Sequence, residues 1–244
     1  MNVFPDRKVF LTAEWRNLIN LTYRVPAEVL QSYLPPELEL DLWEGHAHLS
    51  LVAFDFLNTK VKGVPIPWHI DFPEVNLRFY VRRGGQNGVM FIKELVPRAA
   101  IAWTARLFYN EPYERVGMES FRSETGPLVV RHELWKKKSL HGLRVELGDV
   151  LGIPEENTPD HFFKEHDLGF GVRRNGKVLC YRVDHEVWKI REIKSVELDW
   201  DFGKVYGNEW AFLNEAEPRY QLFAEGSHVR VHHPFPLDEL PSNF

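Results

Sequence analysis

The sequence predicts a β-rich α+β fold in which mostly antiparallel strands close, or nearly close, into a barrel or cone carrying a few short helices. Three observations predict it. Apolar and polar residues alternate with period 2 along much of the chain, the mark of strands with unlike faces. Helical periodicity is confined to three short segments. Glycine-rich turns of the hairpin type separate alternating runs, and closure into a barrel removes the edges that so many strands otherwise expose.

The elements follow in order. Residues 17–24 read as a strand with Ile19, Leu21 and Tyr23 on one side. Pro26 opens a helix over residues 27–34, where Val29, Leu30, Tyr33 and Leu34 form an apolar stripe that Pro35 ends. Residues 36–43 alternate Leu38, Leu40 and Leu42 with acidic residues, and residues 46–56 read as a further strand. Residues 74–82 alternate most cleanly, followed by the turn Arg83-Gly84-Gly85-Gln86-Asn87-Gly88 and a strand over 89–95. Pro97 opens a second helix over residues 98–109, whose small alanines permit close packing on a sheet. Strands follow at 128–134 and 143–147; Thr158-Pro159-Asp160 caps a third helix that Gly169 stops. The turn Arg174-Asn175-Gly176 precedes strands at 177–185, 195–202 and 227–232. No composition break, repeat or linker divides the chain, so residues 1–244 read as a single domain.

Composition excludes several function classes. The 244 residues are 44% hydrophobic, and 17 Phe, 8 Trp and 8 Tyr supply ample surface to bury, which excludes intrinsic disorder. A net charge of −5 argues against duplex nucleic acid as partner, which requires a dense basic field. One cysteine, Cys180, forms neither an internal disulfide nor a thiolate zinc site and fits a reducing compartment. The N-terminus carries charges where a signal peptide has its apolar core, and no run of about 18 apolar residues occurs. A cytoplasmic protein without membrane contact is expected; whether it forms a homo-oligomer is left open.

The segment Glu74-Val75-Asn76-Leu77-Arg78-Phe79-Tyr80-Val81 is the most informative. As a strand it sets Glu74, Asn76, Arg78 and Tyr80 on one face and four apolar residues on the other. That polar face is either the solvated side of a half-exposed sheet or the lining of a cavity. In a cavity, Arg78 could hold an anionic group and Glu74 could move a proton. Arg106 is a further anion clamp and Tyr113 a hydrogen-bond donor; the alternative is a surface arginine and a packed tyrosine. Lys93, after the apolar run Val89-Met90-Phe91-Ile92, is either a buried amine of lowered pKa or a strand-end lysine reaching water. His46 with His48, and His228 with His232 and His233, raise a metal-dependent reading. Neither group comes with a carboxylate at an identifying spacing, so no metal is expected. Phosphate-loop, nucleophile-elbow and zinc-helix signatures are absent, and no cofactor is expected.

Over residues 14–118, and more weakly 161–188, the chain resembles the YqjF-like family of uncharacterised proteins in the acetoacetate-decarboxylase-like superfamily. The residues carrying the resemblance are Trp15-Arg16-Asn17, Tyr23 with Leu34-Pro35-Pro36, Glu74-x-Asn76-x-Arg78-x-Tyr80-Val81, Ala105-Arg106-x-Phe108 with Pro112-Tyr113, and His185 with Trp188. The resemblance implies a barrel or cone whose interior holds a small-molecule site. It implies that Arg16 lies near a substrate carboxylate, that Glu74 matches an active-site glutamate, and that His185 is a general-base candidate. One departure matters. Members that decarboxylate acetoacetate carry paired lysines after the proline of this turn, one of which forms a Schiff base, whereas here Pro112 is followed by Tyr113 and Glu114. Neither side chain can form an imine.

The expected function is therefore binding of a small, anionic carboxylate or carbonyl compound in a polar barrel cavity. Arg16, Arg78 and Arg106 would engage the anion, Glu74 and His185 would handle protons, and Asn76, Tyr80 and Tyr113 would orient the ligand. If catalytic, the protein would carry out lysine-independent proton transfer of lyase or isomerase type; the alternatives are a non-catalytic binding or scaffold protein and a metal-dependent hydrolase or isomerase.

Overall fold

The computed structural model describes residues 7–67, 70–97, 112–123, 125–173 and 175–240. Among them are β1 (Val9–Val25), β2 (Glu39–Leu40), β3 (Ala47–Val61), β4 (Val64–Pro65), β5 (Phe72–Arg83), β6 (Gln86–Val96), β7 (Tyr113–Arg115) and β8 (Gly117–Arg122). The chain continues through β9 (Leu128–Lys136), β10 (Ser139–Gly152), β11 (Leu168–Val172), β12 (Val178–His185), β13 (Ile190–Asp199), β14 (Tyr220–His232) and β15 (Phe235–Pro236). Three short helices, α1 (Ala27–Gln31), α2 (Pro159–Phe162) and α3 (Phe202–Val205), and 3-10 segments at Asn208–Glu215 and Leu237–Glu239 complete the described helical elements. The helix expected over residues 98–109 lies outside the described residues, and Arg106 with it.

Strand pairing runs β12-β11-β6-β5-β3-β1-β14, and β14 pairs back onto β12, so seven strands form a closed ring. The pairings are antiparallel except β6 with β11 and β6 with β7. From β14 the sheet continues outward through β13, β10, β9 and β8. The fold is thus β-rich, mostly antiparallel and closed, as alternation and the resemblance led one to expect.

Two apolar regions follow from the alternation. Ile19, Leu21 and Tyr23 of β1 and Val75, Leu77 and Phe79 of β5 face outward from the ring. They pack against Val130, Leu134, Leu143 and Val145 of the outer sheet and against Phe202 and Trp210 of the helical layer. The inward faces make a second cluster, including Phe54, Phe56, Phe72 and Trp188. One end of the ring is plugged by α2: Phe163 packs with Tyr80 and Val89 and beside Trp43, Phe91 and Tyr220. Thr158 caps α2 by accepting a hydrogen bond from the His161 amide.

Several element boundaries differ from the expectation. The alternating run at 36–43 yields only β2, because the chain turns away at Glu44 and Gly45, both with positive φ, and leaves Leu42 exposed. α1 stops at Gln31 instead of residue 34, and the strand expected at 195–202 ends at Asp199, with Phe202 opening α3. Asn87-Gly88 is not the hairpin turn: Arg83 pairs with Gln86, so Gly84-Gly85 turns the chain and Asn87 and Gly88 pair within β6. Gly169 does not stop a helix but lies in β11, where the Tyr181 ring crosses it so closely that a Cβ would sit 2.1 Å from a ring carbon.

Candidate functional site

Inside the ring lies a cavity of about 140 Å³. Every ring strand contributes to its wall: Trp15 from β1, Phe54 from β3, Glu74 from β5, Phe91 from β6, Leu168 from β11, Val183 from β12 and Val231 from β14. The inward residues of β5 cross from cavity to plug. Glu74, Asn76 and Arg78 line the cavity. Tyr80 lies below it, its hydroxyl 2.6 Å from Ser50 Oγ and donating to the Phe163 carbonyl at 3.4 Å.

Two β-bulges decide which other side chains face inward. In β1 the register against β3 slips between Arg16 and Ile19, with Asn17 at φ 56°. Asn20 and Leu18 point inward below the bulge; above it Trp15 lines the cavity and Arg16 turns out. Gly226 (φ 78°) faces this bulge, and a Cβ there would meet the Trp15 carbonyl oxygen at 1.8 Å. In β6, Ile92 is the extra residue: Arg78 pairs with Phe91 but Leu77 with Lys93. Val89 and Phe91 face inward on one side of it and Glu94 on the other. Unbroken alternation would have sent Lys93 inward; instead its Nζ lies outside the cavity, 3.2 Å from Glu114.

Glu74 and Glu94 are both buried, and the Tyr113 hydroxyl bonds to both carboxylates. Tyr113 donates to Glu74 Oε2 at 3.3 Å, and Asn76 Nδ2 donates to Glu74 Oε1 at 3.2 Å. Burial in this apolar chamber raises the Glu74 pKa from 4.5 to about 7, against the opposing pull of Asn76, Tyr113 and Arg78. Burial also raises the Tyr113 phenol well above its ordinary range, with the charges of Glu74 and Glu94 adding to the effect. The trio is equipped to hold and pass a proton near neutrality.

Arg78 supplies positive charge in the same cavity. Its Nη2 donates to the Phe163 carbonyl at 3.3 Å, its Nε is buried without a hydrogen bond, and it forms no ion pair among the described residues. Lys164, whose side chain is fully buried, also lines the cavity but is ion-paired with Glu165. His166 lines it with Nε2 3.2 Å from Asp41 Oδ2. His185 lines it too, its ring stacked on Trp188 at 4.1 Å and its Nδ1 2.8 Å from the Glu186 carbonyl.

Of the residues singled out from sequence, Glu74, Asn76, Arg78, Tyr113 and His185 line one cavity, and Tyr80 buttresses it. Arg16 does not reach it; Glu14 accepts from its Nη2 at 2.6 Å and the Gly226 carbonyl from its Nη1 at 3.2 Å. The two histidine groups do not assemble. His48 packs against Phe163 and Tyr220, burial lowering its pKa to about 4. His232 bonds Asp184, and His228 is exposed. Glu94, Lys164 and His166 escaped the sequence reading: a bulge hides the first, and the other two lie where a longer helix was expected.

Comparison with known proteins agrees with this fold. The crystal structure of acetoacetate decarboxylase from Legionella pneumophila is 13% identical, covers 97% of this chain and 90% of its own, and superimposes with a TM-score of 0.66. An acetoacetate decarboxylase-like enzyme from Sphingomonas wittichii RW1 is 12% identical, with 94% and 93% coverage and a TM-score of 0.66. The enduracididine biosynthesis enzyme MppR complexed with pyruvate is 12% identical, with 97% and 93% coverage and a TM-score of 0.67. At such identities the likeness is one of fold. In sequence, the chain is 31% identical to the uncharacterized protein YqjF of Bacillus subtilis (strain 168) over 193 residues, 78% of this chain and 79% of that one. Residues 12–228 match the family of uncharacterized conserved proteins DUF2071 (COG2071), and to that family, built on the acetoacetate-decarboxylase-like fold, this chain belongs.

Proposed function

We propose that the cavity binds a small carboxylate- or carbonyl-bearing molecule and that Glu74 transfers a proton next to the carbonyl, without a covalent amine intermediate. The observation that carries the reading is the sharing of one wall by two unlike groups: a buried glutamate titrating near neutrality and a guanidinium with no anionic partner among the described residues. The guanidinium suits a carboxylate, which it can grip with paired N–H donors. A carboxyl that is half protonated near pH 7 can serve as acid or base as the reaction demands. The cavity volume corresponds to roughly ten water-sized positions, the scale of a short organic acid. That a protein of the same fold is described in complex with pyruvate is compatible with a ligand of this kind.

Imine chemistry is disfavoured on geometry. Tyr113 and Glu114 stand where the resemblance sets the lysine pair, Lys93 lies outside the cavity, and Lys164 is engaged by Glu165. The missing lysine pair also supports a second reading, a binding protein without turnover.

The test is calorimetry with a panel of short keto, hydroxy and dicarboxylic acids, joined to NMR detection of deuterium exchange at carbon beside the carbonyl. At least one acid should bind, with Arg78→Gln weakening it. Glu74→Gln should retain binding and lose exchange. Binding without exchange selects the non-catalytic reading, and failure of every acid to bind refutes both.

A further inference from the structure

We infer that Glu165, Asp167 and His185 form a site for a divalent first-row transition cation beside the cavity. The Glu165 and Asp167 carboxylates and a His185 ring nitrogen offer ligand atoms that all lie within 4.8 Å of one another. This is the only such group of three among the described residues. The inference is independent of the proton-transfer reading of Glu74, and it uses none of His46, His48, His228, His232 and His233, which raised a metal-dependent reading.

Secondary structure, not loop chance, brings the three together. Leu168 opens β11 and pairs with Arg182 of β12. The pairing extends one residue further, the Val183 amide donating to the Asp167 carbonyl at 2.8 Å. Asp167 is thereby fixed against the strand whose last residue is His185, and Glu165 follows α2 two residues earlier.

The placement of the His185 ring is the second observation. Its side chain is 4% exposed and held flat against Trp188. A carbonyl can only accept, so the Glu186 carbonyl 2.8 Å from Nδ1 requires the ring proton there. Nε2, the other ring nitrogen, faces Asp167 Oδ1 at 3.5 Å. One imidazole nitrogen and two carboxylates gathered this closely make a donor set that a divalent cation can fill. Ligating histidines characteristically donate their other N–H to a carbonyl in this way. Glu165 accepts at Oε1 from Lys164 Nζ.

One imidazole and two carboxylates suit Zn²⁺ or Mn²⁺ better than Ca²⁺, which takes oxygen ligands, or Cu⁺, which seeks sulfur. Three protein ligands leave coordination positions open to water or to an oxygen of a bound molecule. Because His185 also lines the cavity, the cation would adjoin the space proposed for the ligand.

The test uses full-length protein without a histidine tag, stripped with chelator and titrated with MnCl₂ by electron paramagnetic resonance and with ZnCl₂ by calorimetry. The wild type should take up one equivalent with micromolar or tighter affinity, and uptake should alter the Trp188 emission through its stacking on His185. Asp167→Asn and His185→Gln should each weaken uptake by at least about tenfold. Asp167 is largely exposed, so its variant reports even if His185→Gln folds poorly, and circular dichroism checks both. Absence of stoichiometric uptake by the wild type, or unchanged uptake by folded Asp167→Asn, would overturn the proposal.

Discussion

Replacing Glu74 by Gln should change the pH dependence of stability more than stability itself. In an unfolded chain the carboxyl titrates at 4.5; in the folded protein, burial among apolar walls raises it to about 7. Below 4.5 both states hold the proton and the group contributes no difference. Between the two values the unfolded state releases its proton first, so the folded state is progressively disfavoured, and above about 7 the loss levels off. The gap between 4.5 and about 7, at roughly 1.4 kcal/mol per pH unit, amounts to about 3 kcal/mol. Glutamine resembles the protonated acid in shape and can still accept from Tyr113. The variant should therefore match the wild type at the acid end and exceed it by about 3 kcal/mol at pH 8. Urea unfolding of both proteins at half-unit steps from pH 4.5 to 8 measures the difference directly. If the two stability curves run parallel, Glu74 does not titrate with a raised pKa, and the reason for assigning it proton transfer disappears.

Three other outcomes are expected. Arg78→Gln should weaken binding of any acid that the wild type takes by about tenfold or more, since a charge-assisted hydrogen bond contributes about 1.5–3 kcal/mol; calorimetry reads it directly. Gly226→Ala should destabilise the fold by about 3 kcal/mol in urea unfolding, because φ is 78° and the new Cβ meets the Trp15 carbonyl. His132 is buried, and burial lowers its pKa below 6.5. The folded state thus resists the proton that the unfolded state accepts as pH falls through 6.5, and stability is lost on the acid side. His132→Leu should flatten the acid limb of thermal melts recorded between pH 7 and 5.

β5 was readable from sequence because nothing interrupts its alternation: polar residues at 74, 76, 78 and 80 face the ring interior, and apolar residues at 75, 77, 79 and 81 face the outer sheet. Leu42 was misread because alternation alone cannot reveal that a positive-φ turn ends the strand two residues later. Lys164 and His166 carry no local signal. They reach the cavity only because α2 stops at Phe162 and Phe163 drops into the open end of the ring.

The deeper limit is parity. Period-2 reasoning extrapolates from one well-read segment, and each bulge inverts everything beyond it. Carried from Asn20 and Leu18, alternation sends Arg16 inward; carried from Val89 and Phe91, it sends Lys93 inward. Either error fills the chamber with basic groups and invites amine chemistry. The extra residue in β1 substitutes Trp15 for Arg16, and Ile92 in β6 substitutes Glu94 for Lys93. The chamber thereby gains an indole and a second carboxylate in place of two further cations; burial is why Glu74 resists ionisation, and Tyr113 lies beside two carboxylates. Asn17 is recognisable afterwards as a residue that tolerates positive φ, but Ile92 has no such mark: its β-branched side chain favours an ordinary strand. What sets the chamber's charge is thus written less in the charged residues themselves than in the two uncharged ones that shift the register beside them.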